Sequence, residues 1–434
     1  MKGKKSNQDV EDIKKGKSTL IPSKEQYRKW SMPSRVTYIS FVLTIIGLGW
    51  AILTFVVPFF AQKDSDPQLT ALSAEIGQLR LQNEELLQLV RNIQSECLAS
   101  NGNISSGQNC EKVIEAKTGL TELQISEAAN EVIKESTDYI ALGNAYYYLR
   151  NFEKALSYYL KAANENNPEA FSSLGEIYLL GNGVDQSFTE AEKWYRKAAE
   201  LGHPSAQHNL GNICAFGAGA KQDYSKAFYW YKKAALQELA VSESAVGAMY
   251  LQGQGVEQNY SQAIYWLEKA AEKGIPRAMG NLGSMYNRGL GVRQDNAKAM
   301  KFYEKAIQLG DPVAKYNLGT MFLNGEGVKK DLEKAVELFK DPANEGMAEA
   351  QYFLGEIFFK EKKLGRRDYQ EARKWYLMAS ENGFVYAQQR LGLIYEIGIG
   401  VVRDTQQAIF WYSKAANQGD QHSKHRLTEL AKTQ

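Results

Sequence analysis

Residues 170–202, AFSSLGEIYLLGNGVDQSFTEAEKWYRKAAELG, and residues 278–310, AMGNLGSMYNRGLGVRQDNAKAMKFYEKAIQLG, carry the same small and aromatic residues at the same places. Counted from the first small residue, such units begin at Ala170, Ala206, Ser242, Ala278, Ala314, Ala350 and Ala387. They stand 36 residues apart, except that the unit holding Lys362 and Lys363 is one longer. A repeat of this length is one supersecondary unit that buries its apolar face only by stacking on its neighbours. Each unit reads as two helices joined by a Gly-x-Gly-Val turn, as at Gly181 and Gly183 or Gly253 and Gly255. Leu174 and Tyr178 share one face of the first helix at i, i+4, and Gly175 lets the second helix approach closely. Ala191, Trp194, Tyr195, Ala198 and Ala199 form the facing stripe of the second helix. Gly202 then ends that helix, because glycine tolerates positive φ.

These residues resemble the Sel1-like repeat, a relative of the tetratricopeptide repeat with a longer loop between its helices. Seven units over 170–422 carry the resemblance. Residues 135–169 look like an ordinary tetratricopeptide unit instead: Leu142, Gly143, Tyr146, Ala155, Tyr158, Ala162 and Pro168 stand at its offsets, without the Gly-x-Gly-Val insertion. Departures are Cys214 for the usual Tyr, Ala220 for Val, a Lys362–Gly365 turn lacking its first Gly, and Pro342, which is expected to interrupt a second helix. Cys214 is expected to be a buried thiol. The resemblance implies an all-α, right-handed α-solenoid of helix pairs whose first helices line a concave face. By that analogy Tyr147, Tyr148, His208, Asn212, Phe216, Tyr316, Tyr352, Glu356 and Phe359 are candidate groove residues for a protein partner. Filling of the space between repeats is the alternative for each of them.

Upstream, Val36 to Ala61 contains no charge over 26 positions. As a helix it would be roughly 39 Å long, enough to span a bilayer core. Lys17, Lys24, Arg28, Lys29 and Arg35 precede it, whereas only Lys63 and Arg80 lie comparably close after it. That bias puts residues 1–35, a polar tail, in the cytoplasm and the repeats outside it, most simply in a bacterial periplasm. From residue 68 to 98 apolar residues alternate at three and four: Leu72, Ile76, Leu79, Leu86, Val90 and Ile93, with Asn83 at an a position. This predicts a coiled-coil stalk that makes a homodimer, Asn83 favouring two parallel strands. Leu87 and Leu89 widen the stripe toward a third strand or toward a helix near 121–135. The competing reading is a single amphipathic helix folded onto its own chain. Residues 99–134 read as linker and short helix, and 423–434 as a C-terminal cap. Cys97 and Cys110 would face an oxidising compartment. An intrachain bridge across the Ser/Asn/Gly loop between them is preferred, and a Cys97–Cys97 link between chains is the alternative.

No catalytic constellation accompanies this architecture. Net charge is +2 and there are three Cys and four His. That balance offers no general pull on nucleic acid and no CxxC pair. His422 and His425 lack a third ligand, and no P-loop or G-x-S-x-G elbow occurs. No cofactor or metal is expected. The expected function is a membrane-anchored scaffold that binds proteins. Set against it are an immunity-type protein that captures a toxin, a cell-wall or β-lactam hydrolase, and a secretory-pathway adaptor.

Overall fold

A computed structural model describes residues 78, 81–91, 93, 114, 115, 118, 120–219, 221–360 and 368–432. The uncharged run 36–61, the heptad positions Leu72, Ile76 and Leu79, both Cys97 and Cys110, and the Lys362–Gly365 turn lie outside these residues. Among the described residues no helix is long and apolar enough to cross a membrane.

From residue 120 onward the described chain is helical apart from its turns. After α1 (Glu122–Glu135) come pairs: α2 (Tyr139–Tyr148) with α3 (Phe152–Asn164), α4 (Pro168–Leu180) with α5 (Phe188–Glu200), α6 (Pro204–Phe216) with α7 (Tyr224–Ala235), and α8 (Ala240–Gln252) with α9 (Tyr260–Glu272). They continue as α10 (Pro276–Arg288) with α11 (Asn296–Gln308), α12 (Pro312–Asn324) with α13 (Leu332–Asn344), α14 (Ala348–Lys360) with α15 (Tyr369–Glu381), and α16 (Val385–Ile397) with α17 (Thr405–Asn417). α18 (Gln421–Lys432) follows the last pair. The chain forms two compact units, one up to Trp194 and one from Tyr195.

The repeat works because each position has one job. Side chains of Asp223, Asn259, Asp295, Asp331, Asp368 and Asp404 accept from backbone N–H groups in the first turn of the second helices. A cap of this kind is worth about 1 kcal/mol to its helix. Gln186, Gln222, Gln258 and Gln294 each donate from the side-chain amide to the carbonyl seven residues earlier and tie the loop to its own first helix. Gly181 and Gly183 have φ of 73° and 75°, as the turn demands. A methyl on Gly183 would also lie 2.8 Å from Phe152 Cβ, so the loop rests on the preceding second helix. Gly355 shows the reason for the small residue after Leu: a methyl there would meet Tyr376 Cε1 at 2.6 Å. Tyr159, Tyr303, Tyr376 and Tyr412 sit on such glycines, essentially without solvent contact.

Pro342 does not interrupt its helix. α13 runs through it to Asn344. The proline lies three residues from the end, so one lost N–H falls in the last turn, and its own carbonyl accepts from Met347 N at 2.9 Å. Cys214 is half-buried against the core around Ala227, Tyr231 and Val246. α18 closes the described chain by laying Leu430 against Ala408 and Tyr412.

Candidate functional site

In the second unit, α14 presents Tyr352, Glu356 and Phe359 on one face, spaced four and three residues apart. The Tyr352 ring lies 5.2 Å from Phe384, 5.9 Å from Tyr376 and 6.2 Å from Tyr386. Phe359 stands edge-on to Tyr369 at 5.4 Å and to Tyr376 at 6.2 Å. Beneath these rings Glu356 accepts from the Tyr376 hydroxyl at 2.7 Å and from Arg390 Nε and Nη2 at 2.7 and 3.2 Å, and it also pairs with Lys360. Burial opposes its ionisation, but the bonds from Lys360, Tyr376 and Arg390 outweigh burial and hold its carboxyl below the usual range. Burial first, then the Glu356 charge, pushes the Tyr376 hydroxyl far up. The floor is therefore fixed while the rim is open: Tyr386 is 58% exposed and the Arg390 side chain 28%. Rigid aromatics beside a fork-shaped cation, half in water, are the chemistry of interface anchors. Tyr386 and Arg390 escape a reading based on groove offsets because they stand one residue before and three after Ala387, whereas Tyr316 and Tyr352 stand two after the first Ala of their units.

Other candidates fall elsewhere. Tyr316 is half-buried and packs between Phe339 and Phe353 at 5.9 and 6.1 Å. On α6, His208 is buried, its Nδ1 2.8 Å from Ser242 Oγ and its ring 5.1 Å from Tyr231. Asn212 accepts from the Tyr231 hydroxyl at 2.6 Å. His208 thus reaches the next repeat and Asn212 bonds within its own, while Phe216 is 64% exposed. His422 and His425 are exposed, and among the described residues no group of three or more His, Cys, Asp or Glu is placed to hold a metal.

The first unit places a different element over its repeats. Residues 81–91 are helical, and Leu87, Val90 and Ile93 are buried with Ile125, Ala129 and Val132 of α1 and Ala141 and Ala145 of α2. Burial of such side chains contributes about 1.5–3 kcal/mol each. Leu86, Val90 and Ile93, the seam expected to meet a second chain, thus pack on their own chain, and Leu87 is buried in the same cluster. Asn83 is half-buried and Leu89 49% exposed. Arg91 Nη1 lies 2.7 Å from Glu176 Oε1, with side-chain exposures of 4% and 7%. Its guanidinium carbon sits 3.8 Å above the Tyr147 ring. The Tyr147 hydroxyl also donates to Glu176, at 3.0 Å, and burial pushes that hydroxyl far up. Gln88 donates to Glu169 at 3.0 Å and accepts from Asn144 at 2.9 Å. Asn144 in turn accepts from Tyr159, whose hydroxyl burial pushes up to about 12. Tyr147 is therefore covered by the chain itself, and Tyr148 is half-buried beside α1, its hydroxyl 3.5 Å from the Glu122 carbonyl.

Comparison with known proteins matches this geometry. The Sel1 repeat model matches residues 140–167, 169–203, 204–239, 240–275, 276–311, 312–340, 348–384 and 385–420. The first of these covers the unit that resembles an ordinary tetratricopeptide repeat, making eight matched units rather than seven. A Sel1 repeat protein from Oxalobacter formigenes is 32% identical with a TM-score of 0.53, over 56% of this chain and 97% of that one. A protective antigen of uropathogenic Escherichia coli with an SLR fold is also 32% identical, at a TM-score of 0.49 over 73% of this chain, and the chain spans 65% of that antigen's length. An immunity protein from Pseudomonas aeruginosa is matched at 21% identity with a TM-score of 0.36, over 52% of this chain and 81% of its own. A search of curated proteins found no match. The chain belongs to the Sel1 repeat family.

Proposed function

We propose that this chain is a membrane-anchored scaffold whose repeats hold a protein partner outside the cytoplasm, with the N-terminus inside. The observation that carries the binding reading is the half-exposed aromatic and arginine surface of Tyr352, Phe359, Tyr386 and Arg390, fixed from below by Glu356 and Tyr376. Such a surface recognises a partner without side-chain reordering, because its floor is already paired. The uncharged run at 36–61 and its basic flank support the anchored reading. The Asn83 heptad supports a homodimer only where that segment is not engaged by its own repeats.

A photo-crosslinking residue placed at Tyr386 in cells should trap a discrete protein. Arg390→Ala should abolish that adduct, while Tyr229→Ala, at an exposed position far along the sequence, should not. An adduct indifferent to Arg390→Ala would remove this surface as the binding site. A C-terminal alkaline phosphatase fusion should be active, and an inactive fusion beside an active cytoplasmic reporter would reverse the topology.

A further inference from the structure

Arg91 and Glu176 pose a physical question. Both are buried, yet Arg91 Nε and Nη2 have no hydrogen-bond partner. A buried pair that leaves N–H groups unpaired recovers little of its desolvation cost. The helix over the first repeats is thus held by apolar contacts from Leu87, Val90 and Ile93 and aimed by an arginine, rather than locked by it. The receiving face is built independently of it: Asn144 is fixed by Tyr159, Tyr147 by Asn182 and Glu176. At the position corresponding to Arg390 in the following repeat, the sequence has Asn209 rather than arginine. The cation comes from outside the repeats.

We propose that the face formed by Asn144, Tyr147, Glu169 and Glu176 is a recognition site for an amphipathic helix with apolar residues at i, i+3 and i+6 and arginine at i+4. Leu87, Val90, Arg91 and Ile93 of the chain occupy it in cis and are displaced by a partner helix of the same pattern. This site is separate from the Tyr352 surface, so either can fail alone. The cis helix lowers apparent affinity for any partner helix by the fraction of chains in which the face is open.

The test uses the full chain in detergent and a fluorescent synthetic peptide, LQNEELLQLVRNI, which copies residues 81–93. Arg91→Glu in the chain should drive its own helix off Glu176, and the peptide should then bind roughly tenfold more tightly than to the unmodified chain. In the double variant Arg91→Glu with Glu176→Arg, the cis pair is restored with reversed signs; because the introduced arginine also repels the peptide's own, closure of the face is read there from amide exchange alone. Amides 81–91 should exchange slowly in the unmodified and double variants and rapidly in Arg91→Glu, which shows folding and release independently of the peptide. The proposal is overturned if these amides exchange equally fast in all three chains. It is also overturned if Arg91→Glu frees them without gaining peptide binding, or if light scattering shows the freed segment pairing instead with a second copy. Crosslinking at Tyr386 should be unchanged throughout, so a failure there bears on the proposed function and not on this site.

Discussion

Glu176 and Glu356 stand two residues after the conserved-offset leucines Leu174 and Leu354 of their repeats, and each meets an arginine. In the second unit that arginine is Arg390, on the next repeat, and it binds Glu356 through two nitrogens with Tyr376 and Lys360 sharing the carboxylate. In the first unit it is Arg91, from a helix that precedes the repeats, and it uses one nitrogen. One pair is part of the stack. The other joins the stack to a detachable element. The same carboxylate position therefore serves cohesion in one region and recognition in the other.

The largest effect should come from removing the tyrosines beneath the two sites. Tyr159→Ala and Tyr376→Ala each empty a fully buried ring position, at a cost of about 3–5 kcal/mol. Urea titration should show both; equal stability to the parent would break the claim that these rings are the core of their repeats. Next, the isosteric pair Glu176→Gln and Glu356→Gln should separate the regions. Glu356→Gln should lower repeat stability by about 1–3 kcal/mol, because Arg390 and Tyr376 lose a charged acceptor they cannot leave. Glu176→Gln should chiefly speed amide exchange in 81–91, since that helix can undock and return Arg91 to water. A similar loss of global stability in both would erase the distinction.

Acid gives a third comparison. The folded-state carboxyls of Glu356 and Glu396 are held low, each against burial, by Lys360, Tyr376 and Arg390 in one case and Arg426 and Tyr412 in the other. A lowered folded value means stability that is complete above the ordinary carboxylate range and is lost as pH falls through the lowered value. Urea midpoints of the full chain should decline over that acid window, and Glu356→Gln should flatten part of the decline. An unchanged slope in that variant would show that Glu356 is not a titrating contributor. The smallest effect belongs to Lys360→Ala. An exposed i, i+4 partner contributes only about 0.3–0.5 kcal/mol, so Arg390, not Lys360, should dominate the pairing.

The repeat architecture was legible because stacking forces every unit to solve one packing problem with the same residues. Gly143 and Gly355 must be small beneath Tyr159 and Tyr376, and Gly181 and Gly183 must adopt positive φ, so these residues recur and can be counted. The capping Asp and Asn residues and the loop-tying Gln residues recur as well, and could have been counted by the same period. Tyr352, Glu356 and Phe359 were legible as one face of α14, since helical spacing alone brings them together.

Other features depended on contacts between segments far apart in sequence. Helical spacing cannot say whether His208 points to solvent or, as found, to Ser242 on the next repeat. Nor can it give Tyr386 and Arg390 their place beside Tyr352, because they reach it from a neighbouring helix. The heptad of Leu86, Val90 and Ile93 specifies an amphipathic helix that must cover its apolar stripe, and nothing in its spacing names the cover. Tertiary structure supplied it: α1 and α2 present Ile125, Ala129, Val132, Ala141 and Ala145 to the stripe, with Glu176 of α4 beneath Arg91. A periodic pattern determines what each segment must bury, whereas its partner depends on which complementary surface the folded chain brings within reach.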